Sequence, residues 1–389
     1  MWGETRYLRT SAGAARSRTS SQHQTPQSQA LRGRSSRLPV SRWLPSPFPP
    51  VRMTHSSSPT RRRRASAPAL ILNAGNSRPH RYRLDVALPS YIRCPTCRTA
   101  LGSDDACPRC GVTYETVDSI PRLLDRSAPG LDAKLRELAA WPELAKEQGW
   151  YGTDDRIDDA LPYLNRDLGW DDRAWGATQH GFDTMVRHYV KPGMRILEIG
   201  AAKSWASQRL IPLGCEYVAV DLVVDPVIGL GRGTYFERTV GPYLRVQADG
   251  ERLPFAEGSF DLAFCVATLH HAIDLRAMVS ELARVTRRGG IVAGLNEGTR
   301  APYRSGENPD QEHEKELGIN EHVHTMWTYL AAFARAGLRP VRLEYAEGAS
   351  KLAERNIAGK LLRVGSLPAT LWALNAYPYA GLSLYARRR

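Results

Sequence analysis

Two apolar periods alternate along most of the chain. From Lys191 onward, short apolar runs with period two trade places with helical spacing. Arg195–Ile199 reads as a strand after the turn Lys191-Pro192-Gly193, followed by strands at Glu216–Asp221, Leu244–Ala248, Phe260–Val266 and Ile291–Leu295. Between them the pattern predicts a helix over Ser204–Ile211 with Ser204 as N-cap, and another over Leu275–Arg287 ended by Gly289-Gly290. Residues 222–243 are glycine-rich and read as irregular. Met326–Ala336 reads as a helix, Val341–Tyr345 and Leu382–Ala386 as strands, with a helical stretch at Lys351–Val364. Strands alternating with helices predict an α/β fold: a doubly wound parallel sheet with right-handed crossovers.

Upstream the pattern changes. Residues 126–190 read as a helical linker or cap. Leu131–Gln148 carries apolar positions at Leu131, Leu135, Leu138, Ala139 and Leu144, interrupted by Pro142; Thr178–Val190 places Phe182, Met185, Val186 and Tyr189 at helical spacing. Trp141, Trp150, Trp170 and Trp175 fit ordinary packing of these helices onto a larger domain. Order is expected to begin near Tyr91, with a compact cysteine-bearing module over residues 91–125 and the main domain over 191–389.

Residues 1–90 show little periodicity and hold 15 Ser, 6 Thr and 10 Pro, so they bury too little apolar surface to offset ordering entropy and read as a disordered tail. They also carry the charge. The whole chain is +13, yet the tail has 16 Arg against Glu4 and Asp85 alone, which leaves residues 91–389 at −1. The basic balance therefore does not mark the folded part as a nucleic-acid binder. The tail reads as an inert extension or an over-called start, with synthesis beginning at Met53 or nearby; a transit peptide or an anionic-surface arm is the less favoured reading. Ala65–Leu72 is too short and proline-broken for a signal segment, and no run of about 18 apolar residues spans a membrane, so the expected location is cytoplasmic.

Cys94-Pro-Thr-Cys97 and Cys107-Pro-Arg-Cys110 form CxxC-x9-CxxC. Two residues between cysteines let both thiolates of a knuckle reach one tetrahedral ion, and Gly102 and Gly111 suit the turns beside them. Without an export signal, a structural zinc held by Cys94, Cys97, Cys107 and Cys110 is favoured over disulfides, and four thiolates leave no open position for catalysis. Cys215 and Cys265 read as buried thiols.

Leu197-Glu198-Ile199-Gly200-Ala201-Ala202 ends the first strand and opens a helix, where a doubly wound sheet binds a nucleotide-like ligand. Asp221, 21 residues after Gly200, can accept from both ribose hydroxyls, and Asp249 after the third strand can accept from an adenine amine. A dinucleotide needs glycine at three places, but Gly200-Ala-Ala-Lys-Ser-Trp205 matches only the first, and Trp205 obstructs close helix–strand packing. Lys203 favours an anion or plain solvent exposure.

Residues 190–300 resemble class I S-adenosylmethionine-dependent methyltransferases of the type 11 branch. The likeness rests on Val190–Gly200, Ala219-Val-Asp221, Ala248-Asp249, Leu253-Pro-Phe255, Gly258-Ser-Phe-Asp261, Leu269-His-His271, and Glu281–Val285 running to Gly289-Gly290. It implies a Rossmann-like seven-stranded sheet ending in an antiparallel hairpin, preceded here by the zinc ribbon. It also implies S-adenosylmethionine as cofactor. Glu198, Gly200 and Ala201 would shape the loop at the methionine moiety, Asp221 with Leu222 would hold the ribose, Asp249 and Gly250 the adenine, and Val266 and Ala267 would line the sulfonium. Ala201-Ala202-Lys203-Ser204 departs from the further glycines of that family.

His270 and His271 follow the fourth strand and are the candidate catalytic bases, since imidazole titrates in the useful range. Asn296-Glu297, His322 and His324 are placed to face an acceptor; a metal held by His313, His322 and His324 lacks ligand spacing. Trp372, Tyr377 and Tyr379 suggest a lid or packing on the sheet edge. The reading that follows is methyl transfer to a small-molecule, sugar or lipid-linked acceptor. Two rivals stand beside it: an RNA methyltransferase of the ribosomal-RNA type guided by the zinc ribbon, and a non-catalytic module that binds a partner protein.

Overall fold

A computed structural model describes residues 88–149, 151, 155–304, 312–345 and 379–389. Residues 1–87 of the expected tail, Trp150, the helical stretch Lys351–Val364 and the aromatic side chains of 372–379 lie outside the described residues.

The cysteine module ends in two short strands, β1 (Thr116–Val117) and β2 (Ile120–Pro121), paired antiparallel. Helices α1 (Leu131–Glu147), α2 (Asp155–Ala160), α3 (Leu164–Asp167) and α4 (Arg173–Tyr189) follow. The remaining elements are β3 (Arg195–Ile199), α5 (Ser207–Leu210), β4 (Glu216–Asp221), α6 (Gly233–Val240), β5 (Leu244–Gln247), β6 (Phe260–Val266), α7 (Leu275–Val285), β7 (Thr286–Arg300), α8 (Glu312–Glu316), β8 (His324–Thr325), α9 (Met326–Arg335), β9 (Leu338–Tyr345) and β10 (Tyr379–Arg388).

The described strands build a mainly parallel sheet in the order β5-β4-β3-β6-β7-β10-β9, with the two-residue β8 alongside β7. β10 runs antiparallel to both β7 and β9. Strand side chains alternate between faces. Leu197, Val218, Val220, Ala263 and Cys265 pack with α7 and α9, whereas Ile196, Tyr217, Ala219, Leu262 and Phe264 pack with Phe182 and Met185 of α4 and Phe236 of α6. The result is a sheet between two helical layers, which explains the near-continuous apolar runs.

Four expectations need correction. Ser204 is not an N-cap: it sits at φ +59°, and α5 begins three residues later. Residues 222–243 are not wholly irregular, because α6 lies among the glycines; their role is close packing, as at Gly229, where a Cβ would stand 2.5 Å from the Val223 carbonyl oxygen. β7 runs well past the predicted five residues, since β10 pairs with it from Ile291 to Arg300. On α1 the buried stripe is Leu131, Lys134, Glu137, Ala140, Leu144 and Ala145, and the expected core position Leu135 is exposed.

The cysteine module is docked firmly on the sheet edge. Leu123 donates its N–H to the Gln247 carbonyl at 2.8 Å, so the module continues the sheet beside β5. Arg93 N–H reaches the Pro254 carbonyl at 2.8 Å, Arg98 pairs with Glu281 at 2.9 Å, and Arg252 with buried Asp125 at 2.6 Å. A cavity of about 890 Å³ opens along this junction, lined by residues including Tyr114, Arg122, Asp125, Val224 and Gln247. None of the acidic side chains at the strand ends of the main sheet lines it.

Candidate functional site

The carboxyl ends of β5, β4, β3 and β6 lie side by side along one end of the sheet, where an open α/β sheet places its ligand. β3 delivers Glu198, which is buried and accepts a hydrogen bond from the Tyr217 hydroxyl. Burial pushes its pKa up to about 8, with nearby Asp221 adding to the rise against the Tyr217 hydrogen bond. Gly200 follows at φ +64°, and a Cβ there would run into the Thr268 side chain. Only glycine accepts both constraints. Ala201 is buried, its N–H bonded to the Val220 carbonyl at 3.1 Å. Ala202 and Ser204 both adopt left-handed backbone, at φ +46° and +59°.

Asp221 receives the Ala202 N–H on Oδ2 at 2.7 Å and the Val223 N–H on Oδ1 at 2.8 Å. The Leu222 amide also bonds to this carboxylate, and with about two acceptor positions on each oxygen one stays open for an incoming hydroxyl. Burial raises its pKa against these amide hydrogen bonds. The Leu222 carbonyl is fixed by Gln247 Nε2 at 2.8 Å. Asp249 is bridged by Lys134 Nζ at 2.7 and 2.6 Å and takes the Glu251 N–H on Oδ1 at 2.9 Å, which leaves acceptor capacity on Oδ2 alone. Gly250 lies against Met278 and Ile199. Val266 accepts from Thr268 Oγ1 at 2.9 Å, and Ala267, at φ +45°, donates to the Leu295 carbonyl at 2.8 Å. Glu198, Gly200, Ala201, Asp221, Leu222, Asp249, Gly250, Val266 and Ala267 thus gather around the ends of neighbouring strands.

Lys203 is not solvent-exposed and meets a carboxylate of the chain itself. Its ammonium pairs with buried Asp158 of α2 at 2.8 Å, and Arg232 Nε takes the other oxygen at 2.8 Å. Trp205 packs edge-on to Phe182 with centroids 5.1 Å apart, behind the loop.

The four cysteine sulfurs of the docked module lie within 4.8 Å of one another. Cys94 and Cys110 Sγ are 3.9 Å apart and Cys97 and Cys107 Sγ 3.4 Å. Four thiolates ~2.3 Å from one zinc stand ~3.8 Å apart, whereas a disulfide needs ~2.05 Å, so the set fits a tetrahedral ion and all described cysteines are free thiols.

His270 and His271 occupy a short 3-10 turn beyond β6. His270 is buried, with Nδ1 hydrogen-bonded to Glu297 Oε2 at 3.1 Å, the nitrogen donating in the tautomer that carries its proton there. Glu297 does not face an acceptor as expected. Its Oε1 takes the N–H groups of Thr268 at 3.0 Å and Leu269 at 3.1 Å, locking the turn from below. His271 Nδ1–H donates to the Asn320 carbonyl at 2.8 Å, which leaves its Nε2 buried and without a hydrogen-bond partner. Burial opposes charge on His271, and its pKa falls well below the usual histidine range.

Segment 320–322 returns these contacts: Asn320 Nδ2 donates to the His271 carbonyl at 2.6 Å and His322 N–H to the His270 carbonyl at 3.1 Å. Buried Glu321 faces both rings, with Oε2 3.5 Å from His270 Nε2 and Oε1 3.6 Å from His271 Nδ1. His322 and His324 sit nearby with ring centroids 5.7 Å apart, while His313 is paired with Glu147 on the surface at 2.7 Å.

Sequence reasoning missed the roof of this site. α1 lays Lys134 on Asp249 and Glu251, Glu137 within 3.8 Å of His271 Nδ1, and Trp141 edge-on to the His271 ring at 5.6 Å. Positions 134, 137, 141 and 144 share one helical face. The available signal was the charged pair Lys134 and Glu137 on the face that also carries Trp141 and Leu144.

Residues 197–294 match the methyltransferase domain family. A demethylmenaquinone methyltransferase of Corynebacterium glutamicum (strain R) is 32% identical over 119 residues, 31% of this chain and 46% of that protein. Another, of Parafrankia sp. (strain EAN1pec), is 33% identical over 182 residues, 43% of this chain and 65% of that protein. The chain spans about half the length of the first of these relatives. Among solved structures, a geranyl diphosphate C-methyltransferase from Streptomyces coelicolor A3(2) aligns at 16% identity with a TM-score of 0.41, over 54% of this chain and 75% of that one. No helix among the described residues is long and apolar enough to cross a membrane.

Proposed function

We propose that the protein transfers the methyl group of S-adenosylmethionine to a small-molecule acceptor, of which sugars and lipid-linked compounds are candidates. The observation that carries this reading is the pair of carboxylates Asp221 and Asp249 at adjacent strand ends: Asp221 is held by backbone amides, Asp249 by the Lys134 ammonium and the Glu251 amide, and each keeps an acceptor position. That spacing suits ribose hydroxyls and an adenine amine, beside a Gly200 turn that lets a ligand approach the backbone.

S-Adenosylmethionine supplies the activated methyl when bound. The chain's own residues orient it. Asp221 would take the ribose with Leu222 alongside, Asp249 and Gly250 the adenine edge, Glu198 and Ala201 would shape the loop, and Val266 and Ala267 would flank the reacting end. α1 roofs the crevice and excludes water. His270 and His271 serve the acceptor side, placed by Glu297 and Asn320.

Zinc on Cys94, Cys97, Cys107 and Cys110 would be structural. It would hold together the module that continues the sheet at β5. The same docking speaks against a ribbon that reads RNA, because Arg98 and Arg122 are turned onto the body, Arg122 toward Gln247 at 3.2 Å, and the body is near neutral.

Radiolabelled methyl transfer tests the acceptor class. Label is expected in small organic molecules of a fractionated cell extract. Label in bulk RNA, with none in the small-molecule fractions, would overturn the acceptor assignment.

A further inference from the structure

α1 follows the crevice from one end to the other. Lys134 sits on Asp249, the proposed adenine carboxylate, at 2.7 and 2.6 Å. Two turns on, Trp141 packs edge-on to His271 in the turn beyond β6, with centroids 5.6 Å apart. Glu137 lies between them on the same face, ~4.5 Å along the axis from Lys134 and ~6 Å from Trp141. It is buried, its carboxylate reaches within 3.8 Å of His271 Nδ1, and Asp221 at the end of β4 is close enough to act on it electrostatically.

In the proposed binding mode the adenine lies at Asp249, the ribose at Asp221 and the reacting end at Val266 and Ala267. The cofactor's sulfur is bonded to the 5′ carbon of the ribose, so it falls between the ribose and the reacting end. Glu137 is the carboxylate that α1 holds over that interval. It accepts a long hydrogen bond from the neutral Trp141 indole N–H at 3.4 Å. Lys134 gives its ammonium to Asp249 and Glu251, and the His271 Nδ1 proton goes to the Asn320 carbonyl at 2.8 Å. An opposite charge a few ångströms away favours the ionised form of such a carboxylate.

We infer that Glu137 is the group by which the chain recognises the positive charge of S-adenosylmethionine, and so distinguishes the methyl donor from S-adenosylhomocysteine, the product of transfer. The two ligands share adenine, ribose and amino-acid ends; they differ by one methyl group and the sulfonium charge. Asp221, Asp249 and the Gly200 turn meet parts common to both and do not separate them. Once the methyl has left, the sulfur is neutral, the attraction to Glu137 is gone, and the product leaves more readily than the donor. The inference rests on the proposed placement of the cofactor. The recognition depends on pH, because burial pushes the Glu137 pKa up to about 7, with Glu321 and Asp221 adding to the rise against the Trp141 hydrogen bond and Lys134. The carboxylate ionises as pH rises through that value, and the attraction grows with it. The groups facing it are Lys134 of its own helix, Asp221 of β4, His271 with His270 beside it in the turn after β6, and Glu321 of segment 320–322.

Titration calorimetry with both ligands, on the full chain and on Glu137→Gln, tests this at about pH 6 and about pH 8, either side of that pKa. At the higher pH, wild type should prefer S-adenosylmethionine over S-adenosylhomocysteine by at least ~tenfold more than the variant does, and the gap should narrow at the lower pH. The variant serves as reference for every other group that titrates in this range, Asp221, Glu321, His270 and His271 included. Retained S-adenosylhomocysteine binding shows that the variant folds, and the growth of the preference with pH in wild type alone is a second readout. Equal preference in both proteins at the higher pH, or a wild-type preference that does not change with pH, would overturn the role of Glu137 and leave the cofactor placement standing. Failure of folded wild type to bind either ligand would overturn the placement itself, and this inference with it.

Discussion

Ala202 and Ser204 hold left-handed backbone at φ +46° and +59° in the loop between β3 and α5. These are positions at which further glycines were expected by resemblance, and the geometry shows why glycine suits them. An L-residue pays ~1–2 kcal/mol there, partly offset because glycine loses more chain entropy on folding, by ~0.5–1 kcal/mol. Ala202→Gly should therefore raise stability by ~0.5–1 kcal/mol in urea unfolding while the Ala202 N–H keeps its bond to Asp221. A loss of stability would mean that the methyl group packs usefully. Glu198 gives a pH signature. Its folded pKa of about 8 stands above the ordinary 4.5, so the native state holds a proton that the unfolded chain releases. The contribution of the neutral carboxyl is complete below pH 4.5 and is lost as pH rises to about 8. Glu198→Gln removes that dependence. The stability of wild type relative to the variant should fall with pH across this window, by at most ~1.4 kcal/mol per pH unit. A flat difference would show Glu198 to be ionised in the fold.

At the scale of elements, α1 is the piece that closes the crevice. Lys134, almost fully buried, bridges Asp249 and Glu251. Removing one partner of a buried pair leaves uncompensated charge and costs ~3–5 kcal/mol. Lys134→Met should lower stability by about 3 kcal/mol and open residues 131–147 to limited proteolysis. A loss under ~1 kcal/mol with α1 still protected would show that the ammonium does not anchor the roof.

The same element shows where reading the sequence ran out. Strands β3, β4 and β6 were legible to the residue, because apolar runs bounded by turns admit few alternatives. Gly200 and Asp221 stand at the carboxyl ends of β3 and β4, and Asp249 follows the end of β5 by two residues. α1 was found as a helix but turned the wrong way, since Leu135 is exposed and Lys134 is buried. Polar residues buried by partners distant in sequence, such as Lys134 on Asp249 or Glu297 under Thr268, leave no periodic trace. Glu321 lies in a loop, where periodicity is silent altogether.

For the whole molecule, the cysteine module and the sheet act as one folding unit, because the module supplies the neighbour that edge strand β5 would otherwise lack. Removal of the proposed zinc should therefore destabilise the entire body. Chelation is expected to lower Tm by about 5 °C or more, at ~2–4 °C per kcal/mol for a domain of this size. An unchanged transition would separate the module from the body's stability.

The cofactor crevice is the centre of the account, and titration calorimetry with S-adenosylmethionine tests it most directly. Folded wild type should bind, and Asp221→Ala, which removes the proposed ribose acceptor, should weaken binding by at least ~tenfold, or ~1.4 kcal/mol. No binding by folded wild type, or equal affinity in the variant, would contradict the placement of the cofactor at the ends of β3, β4 and β5.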